Sequence, residues 1–172
     1  MNAIMENLLT RRSCRSFLAK PIPEDQLQDI LKAACYAPSG RGLQTWQFTA
    51  VTDRSKIQRL ASVIKETLGR DGYNMYDPQV IILPSNETDS PYGKEDNACA
   101  LENIFLAAHS YGIGSVWINQ LQGICEEPII RAILTEFGIP ENHTVYGLAA
   151  LGYPAMELPK DVSKKGLVKI VT

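Results

Sequence analysis

Three guanidiniums and two hydroxyls fall within six residues in the stretch Thr10-Arg11-Arg12-Ser13-Cys14-Arg15-Ser16-Phe17. Arginine carries a planar fork of donors that grips a phosphate through paired, charge-assisted hydrogen bonds. A chain with a formal net charge of −2 does not produce such a cluster as background composition. The stretch therefore suits an anion grip for a phosphate-bearing ligand. Taken alone, it also suits a solvated basic helix end, or a segment recognised by a kinase at Ser13 or Ser16. Other residue types capable of chemistry are sparse. His109 and His143 have no neighbour that would fix either as a general base, and both read as packing or surface histidines. Cys14, Cys35, Cys99 and Cys125 are scattered without a CxxC pair, and two histidines do not complete a zinc site with them. The cysteines read as buried, reduced thiols.

Several function classes are disfavoured at this level. No strand-like run is followed by GxGxxG or GxxxxGK[ST]; Gly112-Ile113-Gly114 is only a GxG, and it lies at a helix exit. A phosphate ligand would thus need the arginine stretch as its cradle. The acidic pI of about 5.7 argues against a nucleic-acid partner. No apolar run approaches the roughly 18 residues that span a bilayer. Met1–Glu6 lacks the pattern of a signal peptide, so a cytoplasmic address is expected. A chain of 172 residues fits one domain covering 1–172.

The elements that must position these residues follow from spacing. Residues 2–10 read as a short helix with Ile4, Met5, Leu8 and Leu9 on one face. Pro23, with Glu24 and Asp25, opens a second helix carrying Leu27, Ile30, Leu31 and Ala34, and Pro38 enforces its end. Pro38-Ser39-Gly40-Arg41-Gly42 is a loop. Trp46–Val51 alternates as a half-buried strand should. Asp53 caps a third helix with Ile57, Leu60, Ala61, Ile64 and Leu68 in one stripe, stopped by Gly69. Residues 69–78 are loop-like, and Val80–Leu83 form a short buried strand. Glu95–Tyr111 is helical and apolar on nearly all sides, which calls for a buried core position or a second subunit. Ser115–Ile118 reads as a strand, with Trp117 a core aromatic. Pro128 opens another helix, His143–Leu151 supplies a central strand, and the tail from Lys160 to Thr172 is basic and then β-prone.

Four segments in order resemble the nitroreductase family of FMN-dependent oxidoreductases. Arg11-Arg12-Ser13-Cys14-Arg15-Ser16-Phe17 resembles its N-terminal RRSxRxF block, and the run from Ala33 to Phe48 resembles AAxxAPSGxNxQPWxF. Asp96–Ile118 resembles DxxxAxENxxLAAxxxGxGSxWI, and Gly147–Pro154 with the basic tail resembles the closing strand and its GYP. Two departures stand out: Gly42 replaces the loop asparagine and Thr45 the proline before the tryptophan.

The resemblance implies an α+β fold, with a central, mostly antiparallel sheet flanked by helices, built as an intimate homodimer with FMN at the interface. It implies that Arg11, Arg15 and Lys164, with Lys165 close behind, neutralise the FMN phosphate, that Ser13 adds a hydroxyl donor, and that Arg12 points at the phosphate or into solvent. Pro38, Ser39, Gly40 and Gly42 would line the flavin, with Gln44 a substitute for the missing amide, and Ile118, Asn119 and Gln120 would present backbone to the ring. NADH or NADPH would be the electron donor and a nitroaromatic or quinone the small-molecule acceptor, by a ping-pong mechanism with no catalytic side chain. A flavin reductase of another substrate, or a flavin carrier or redox sensor without turnover, remain alternatives.

Overall fold

The computed structural model describes residues 1–159 and 162–172. The helices are α1 (Ala3–Thr10), α2 (Glu24–Cys35), α3 (Arg54–Leu68), α4 (Gly93–Ser110) and α5 (Pro128–Glu136). The strands are β1 (Trp46–Val51), β2 (Val80–Glu87), β3 (Gly114–Ile118), β4 (His143–Thr144) and β5 (Leu148–Gly152). All strand pairs are antiparallel, in the order β1-β2-β5-β3, and β4 pairs with the far end of β2. The fold is therefore the α+β arrangement with an antiparallel sheet.

Period-two alternation divides the core between the two faces of the sheet. Val80, Ile82, Ala149 and Leu151 pack with Leu27, Ile30, Leu101 and Ile104 of α2 and α4. Ile81, Leu83, Leu148 and Ala150 pack with Ile57, Leu60 and Ile133 of α3 and α5. β5 is buried along its whole length because both faces are covered. The local signals act as the spacing suggests: Asp53 accepts from the backbone of Ser55 and Lys56 at the start of α3, and Gly69 ends it at φ 58°.

Several elements depart from the sequence reading. β2 runs on past Leu83 through Pro84, Ser85 and Asn86, because the buried polar residues find partners elsewhere: Thr45 Oγ1 donates to Asn86 Oδ1 at 2.6 Å. The span His143–Leu151 divides into β4 and β5, and at the break Gly147 lies under the Trp117 indole; a Cβ there would sit 2.5 Å from Nε1. Residues 162–172 form no strand and lie exposed; Lys160, where the basic tail begins, and Asp161 lie outside the described residues. Cys14 and Cys125 are buried as expected, but Cys35 is exposed and Cys99 half-buried; all four are free thiols. Trp117 is 41% exposed rather than core: it stands opposite Ala149 and beside Phe105 on the α2/α4 face, but on β3, the edge strand of the sheet. No helix among the described residues is long and apolar enough to cross a membrane.

Candidate functional site

α1 hands the arginine stretch to the end of α4 and the start of β3. Asn7 Nδ2 donates to Leu106 O at 3.0 Å, and Thr10 Oγ1 lies 2.9 Å from His109 Nε2. The chain then runs extended, with Cys14 N donating to Ser115 O at 2.9 Å and Leu18 N to Tyr153 O at 2.8 Å. Alternation in an extended segment separates its side chains. Cys14 is fully buried against Gly114, where a Cβ would stand 2.7 Å from its own. Arg12, on the same side, donates through Nε to Pro159 O (3.0 Å) and through Nη1 to Leu9 O (2.7 Å) and Arg11 O (2.8 Å). Arg12 thus ties the C-terminal segment to the end of α1.

The side chains of Arg11 and Arg15 make none of these bonds, although Arg11 lines with Arg12 a cavity of about 230 Å³ beside His109, Gly114 and Pro154. Arg11 lies 5.8 Å over the Phe105 ring and only 4.0 Å from the exposed Glu102 carboxylate. Arg15 stands 6.0 Å from the Tyr76 ring and has no carboxylate partner among the described residues. Phe105 and Trp117 are neighbours at 6.3 Å, and Trp117 and Tyr76 line one cavity of about 250 Å³. Arg11 thus meets the ring pair of Phe105 and Trp117, and Arg15 meets Tyr76 across the cavity that Trp117 also lines. Ile118 and Gln120 line the same cavity, while Asn119 is exposed at the end of β3. Tyr73 Oη donates to Gln120 Oε1 at 3.3 Å, and burial pushes the Tyr73 hydroxyl above its ordinary range, which keeps it a donor.

Both histidines lie apart from any acid–base arrangement. Partial burial, and then the charges of Arg11 and Arg12, lower the His109 pKa from its usual value, so the ring is neutral at pH 7. His143 is on β4, with Nδ1 at 3.1 Å from Ser85 Oγ and its pKa lowered chiefly by burial. Among the described residues no group of three metal-ligating side chains comes together.

The second predicted cluster is built on the opposite end of α4. Asp96, 3% exposed in its first turn, accepts from Ser39 Oγ and from Gly40 N, both at 2.8 Å. Ser39 Oγ in turn accepts from Gln44 N at 3.0 Å. The loop closes tightly: Arg41 and Gln44 hold φ of 54° and 51°, and a Cβ on Gly40 would lie 2.3 Å from the Tyr92 ring. Gly42, at φ 66°, borders open space, and Pro38 and Gln44 are exposed. Thirteen residues of α4 separate Asp96 from His109, about 20 Å at the helical rise. Within one chain the loop and the end of α1 thus occupy opposite ends of α4. Lys164 and Lys165 lie in the exposed tail.

Sequence spacing did not single out Asp96, Tyr73, Tyr76 or Trp117 for the site. The available signals were Asp96 and Trp117 as the first residue and the tryptophan of the DxxxAxENxxLAAxxxGxGSxWI block, and Tyr73 and Tyr76 as aromatics in an irregular loop.

The nitroreductase family model matches residues 8–72 and 69–153 of this chain. A solved structure described as a nitroreductase with bound FMN, from Bacteroides fragilis, superposes with a TM-score of 0.92 at 41% identity and 100% coverage of both chains. A protein of Archaeoglobus fulgidus, provisionally named an NADH dehydrogenase/NAD(P)H nitroreductase, is 34% identical across 91% of this chain and 88% of its own. An NADPH-flavin oxidoreductase of Vibrio harveyi is 31% identical across 90% of this chain and 67% of its own. With the RRSxRxF stretch, the loop on Asp96 and the antiparallel sheet all in place, the chain belongs to the nitroreductase family.

Proposed function

We propose that this chain is an FMN-dependent oxidoreductase that takes electrons from NADH or NADPH and passes them to nitroaromatic or quinone acceptors in a ping-pong cycle. The carrying observation is that Arg11 and Arg15 come from one extended segment, Arg11 over Phe105, the neighbour of Trp117, and Arg15 beside Tyr76, while Trp117 and Tyr76 line one cavity. Among the described residues these two guanidiniums share one carboxylate, Glu102 at 4.0 Å from Arg11, so the donor set suits a phosphate dianion. The likeness to an FMN-bound nitroreductase supports the same reading.

Bound FMN would supply the redox chemistry, accepting hydride from the nicotinamide and returning it to the acceptor. The protein supplies binding and orientation. Arg11, Ser13 and Arg15 hold the phosphate, joined by Lys164 or Lys165 from the tail. Ile118, Asn119 and Gln120 present backbone to the ring edge, and Pro38, Ser39, Gly40 and Gly42 cover it. Gln44 is the amide nearest in sequence to the position of the missing asparagine. Arg12 is assigned to holding the C-terminal segment. No side chain is assigned a proton transfer, and neutral His109 adds no charge to the phosphate grip.

The active unit is proposed to be a homodimer of single-domain chains. α1 buries none of its residues, although Ile4 is 72% and Leu9 54% exposed. A cavity of about 750 Å³ opens between α1 and the outer face of α4, and Leu167, Val168, Ile170 and Val171 of the tail are all exposed. A second copy packed here would cover this apolar surface. It would also bring the Pro38–Gln44 loop of one chain to the arginines of the other, which a single chain keeps apart along α4.

Anaerobic stopped flow on the flavin-loaded protein tests the proposal. The flavin absorbance should bleach with NADH or NADPH and recover with nitrofurazone or menadione. Initial rates at several fixed acceptor concentrations should give parallel double-reciprocal lines. A bound flavin that neither nicotinamide bleaches would make the protein a carrier, and intersecting lines would exclude the shared pocket.

A further inference from the structure

Met75, Tyr76 and Asp77 hold φ of 53°, 65° and 51°. Side-chain-bearing L-residues enter this left-handed region at a cost, and three in succession make a left-handed turn. Packing secures only part of it. Met75 is fully buried, but the loop around it faces space on two sides. One side is the 250 Å³ cavity with Trp117 and Gln120; the other is a cavity of about 360 Å³ against Gln58, Ala61 and Ser62 of α3.

Arg54, at the start of α3, closes the turn. Its Nη1 donates to the carbonyls of Asp77 (3.1 Å) and Pro78 (2.5 Å), and its Nη2 to Asp77 Oδ1 (2.8 Å). Asn74 adds two bonds, its Oδ1 accepting from Tyr76 N and its O from Asp77 N, each at 3.0 Å. A planar fork meets two carbonyls and a carboxylate together, which a lysine point charge does not reproduce.

We infer that Arg54 is a positioning residue for the acceptor. By clamping the left-handed turn it holds Tyr76 beside Arg15 and Tyr73 on Gln120, so that the aromatic wall of the cavity stands formed before a planar acceptor arrives. Backbone strain persists where the surroundings over-determine it, and a ligand wall that must be pre-formed is such a place. The inference rests on the flavin oxidoreductase reading and adds to it a residue whose own side chain bonds the loop rather than the ligand.

Hydrogen exchange and steady-state kinetics on the flavin-loaded protein test it together. In Arg54→Ala the amides of residues 72–77 should exchange about tenfold faster, the equivalent of one charge-assisted hydrogen bond, with those of Leu60–Ile64 unchanged. The KM for menadione should rise about tenfold, with kcat within about twofold and the FMN absorbance retained, the signature of lost uniform binding. Arg54→Lys should restore little. Adding Asp77→Gly to Arg54→Ala should bring the KM back toward wild type, since glycine holds a positive φ without the penalty. Unchanged exchange would overturn the clamp. Faster exchange with an unchanged KM, or loss of FMN in place of a KM effect, would overturn the role in acceptor positioning. A wild-type flavin that no nicotinamide bleaches would overturn the oxidoreductase reading and the acceptor role with it, while the exchange data would still decide the clamp.

Discussion

The loop after α2 and the loop after α3 both hold residues other than glycine at positive φ, and they are held by opposite means. In the first, a buried carboxylate on α4 gathers the Ser39 hydroxyl and the Gly40 amide. In the second, a guanidinium on α3 gathers the carbonyls of Asp77 and Pro78, and its side chain is 36% exposed. The first loop is bound into the core through a residue that water hardly reaches. The second sits between two cavities and depends on a clamp at its edge. A loop of the first kind resists deformation because its failure strands polar groups in the interior. A loop of the second kind can be tuned without endangering the fold.

That contrast is broken most forcefully at Asp96. Asp96→Ala removes two charge-assisted hydrogen bonds of roughly 1.5–3 kcal/mol each and leaves the Gly40 amide without its partner. A fall in Tm of roughly 6–24 °C is expected, at 2–4 °C per kcal/mol for a chain of this size, with weakened FMN retention alongside. Asp96→Asn should lose about half as much, since the amide oxygen still accepts from Gly40 N and the Ser39 hydroxyl has a lone pair for the new NH₂. Differential scanning calorimetry decides between them; an alanine variant as stable as wild type would remove Asp96 as the organiser of the loop.

Much of the frame was legible without coordinates. The stripe Ile57, Leu60, Ala61 and Ile64 and the arginine stretch are local patterns, and local patterns survive folding because neighbours in sequence remain neighbours in space. What escaped notice is non-local. Asp96 reaches back 56 residues to Gly40, and Arg54 reaches forward 24 to Pro78. Ser85 and Asn86 looked like the end of a strand because their partners, His143 and Thr45, lie elsewhere in the chain. Trp117 looked like core because composition does not reveal that β3 is an edge strand.

A gentler contrast lies within the first loop. Gly40→Ala would place a Cβ 2.3 Å from Tyr92 Cγ, at the root of the side chain that begins α4, and the helix start must shift. Overpacking of that kind costs typically 1–3 kcal/mol. Gly42→Asn meets nothing within 4 Å, and asparagine is the side chain best suited to a φ of 66°. Its cost should stay within about 1 kcal/mol. It also restores the amide that the family loop carries, so FMN should bind at least as tightly as to wild type. Urea titration and flavin fluorescence measure the two quantities. Equal destabilisation at the two glycines would show that the loop adapts as a whole.

Salt offers the mildest test and compares the clamps without mutation. The Arg54–Asp77 pair, 2.8 Å apart, has side chains 36% and 49% exposed, so mobile ions reach it. At 1 M salt the screening length falls to about 3 Å, and an exposed pair is worth only about 0.2–1 kcal/mol to begin with. Two of the three Arg54 bonds go to carbonyls and depend more on geometry than on a charged partner. Salt should therefore loosen the turn less than Arg54→Ala does, speeding exchange at residues 72–77 by roughly two- to fivefold. Residues 39–44, held by a carboxylate only 3% exposed, should not respond. If salt matched the alanine substitution, the ion pair and not the fork on the carbonyls would hold the turn, and lysine at position 54 would then serve nearly as well as arginine.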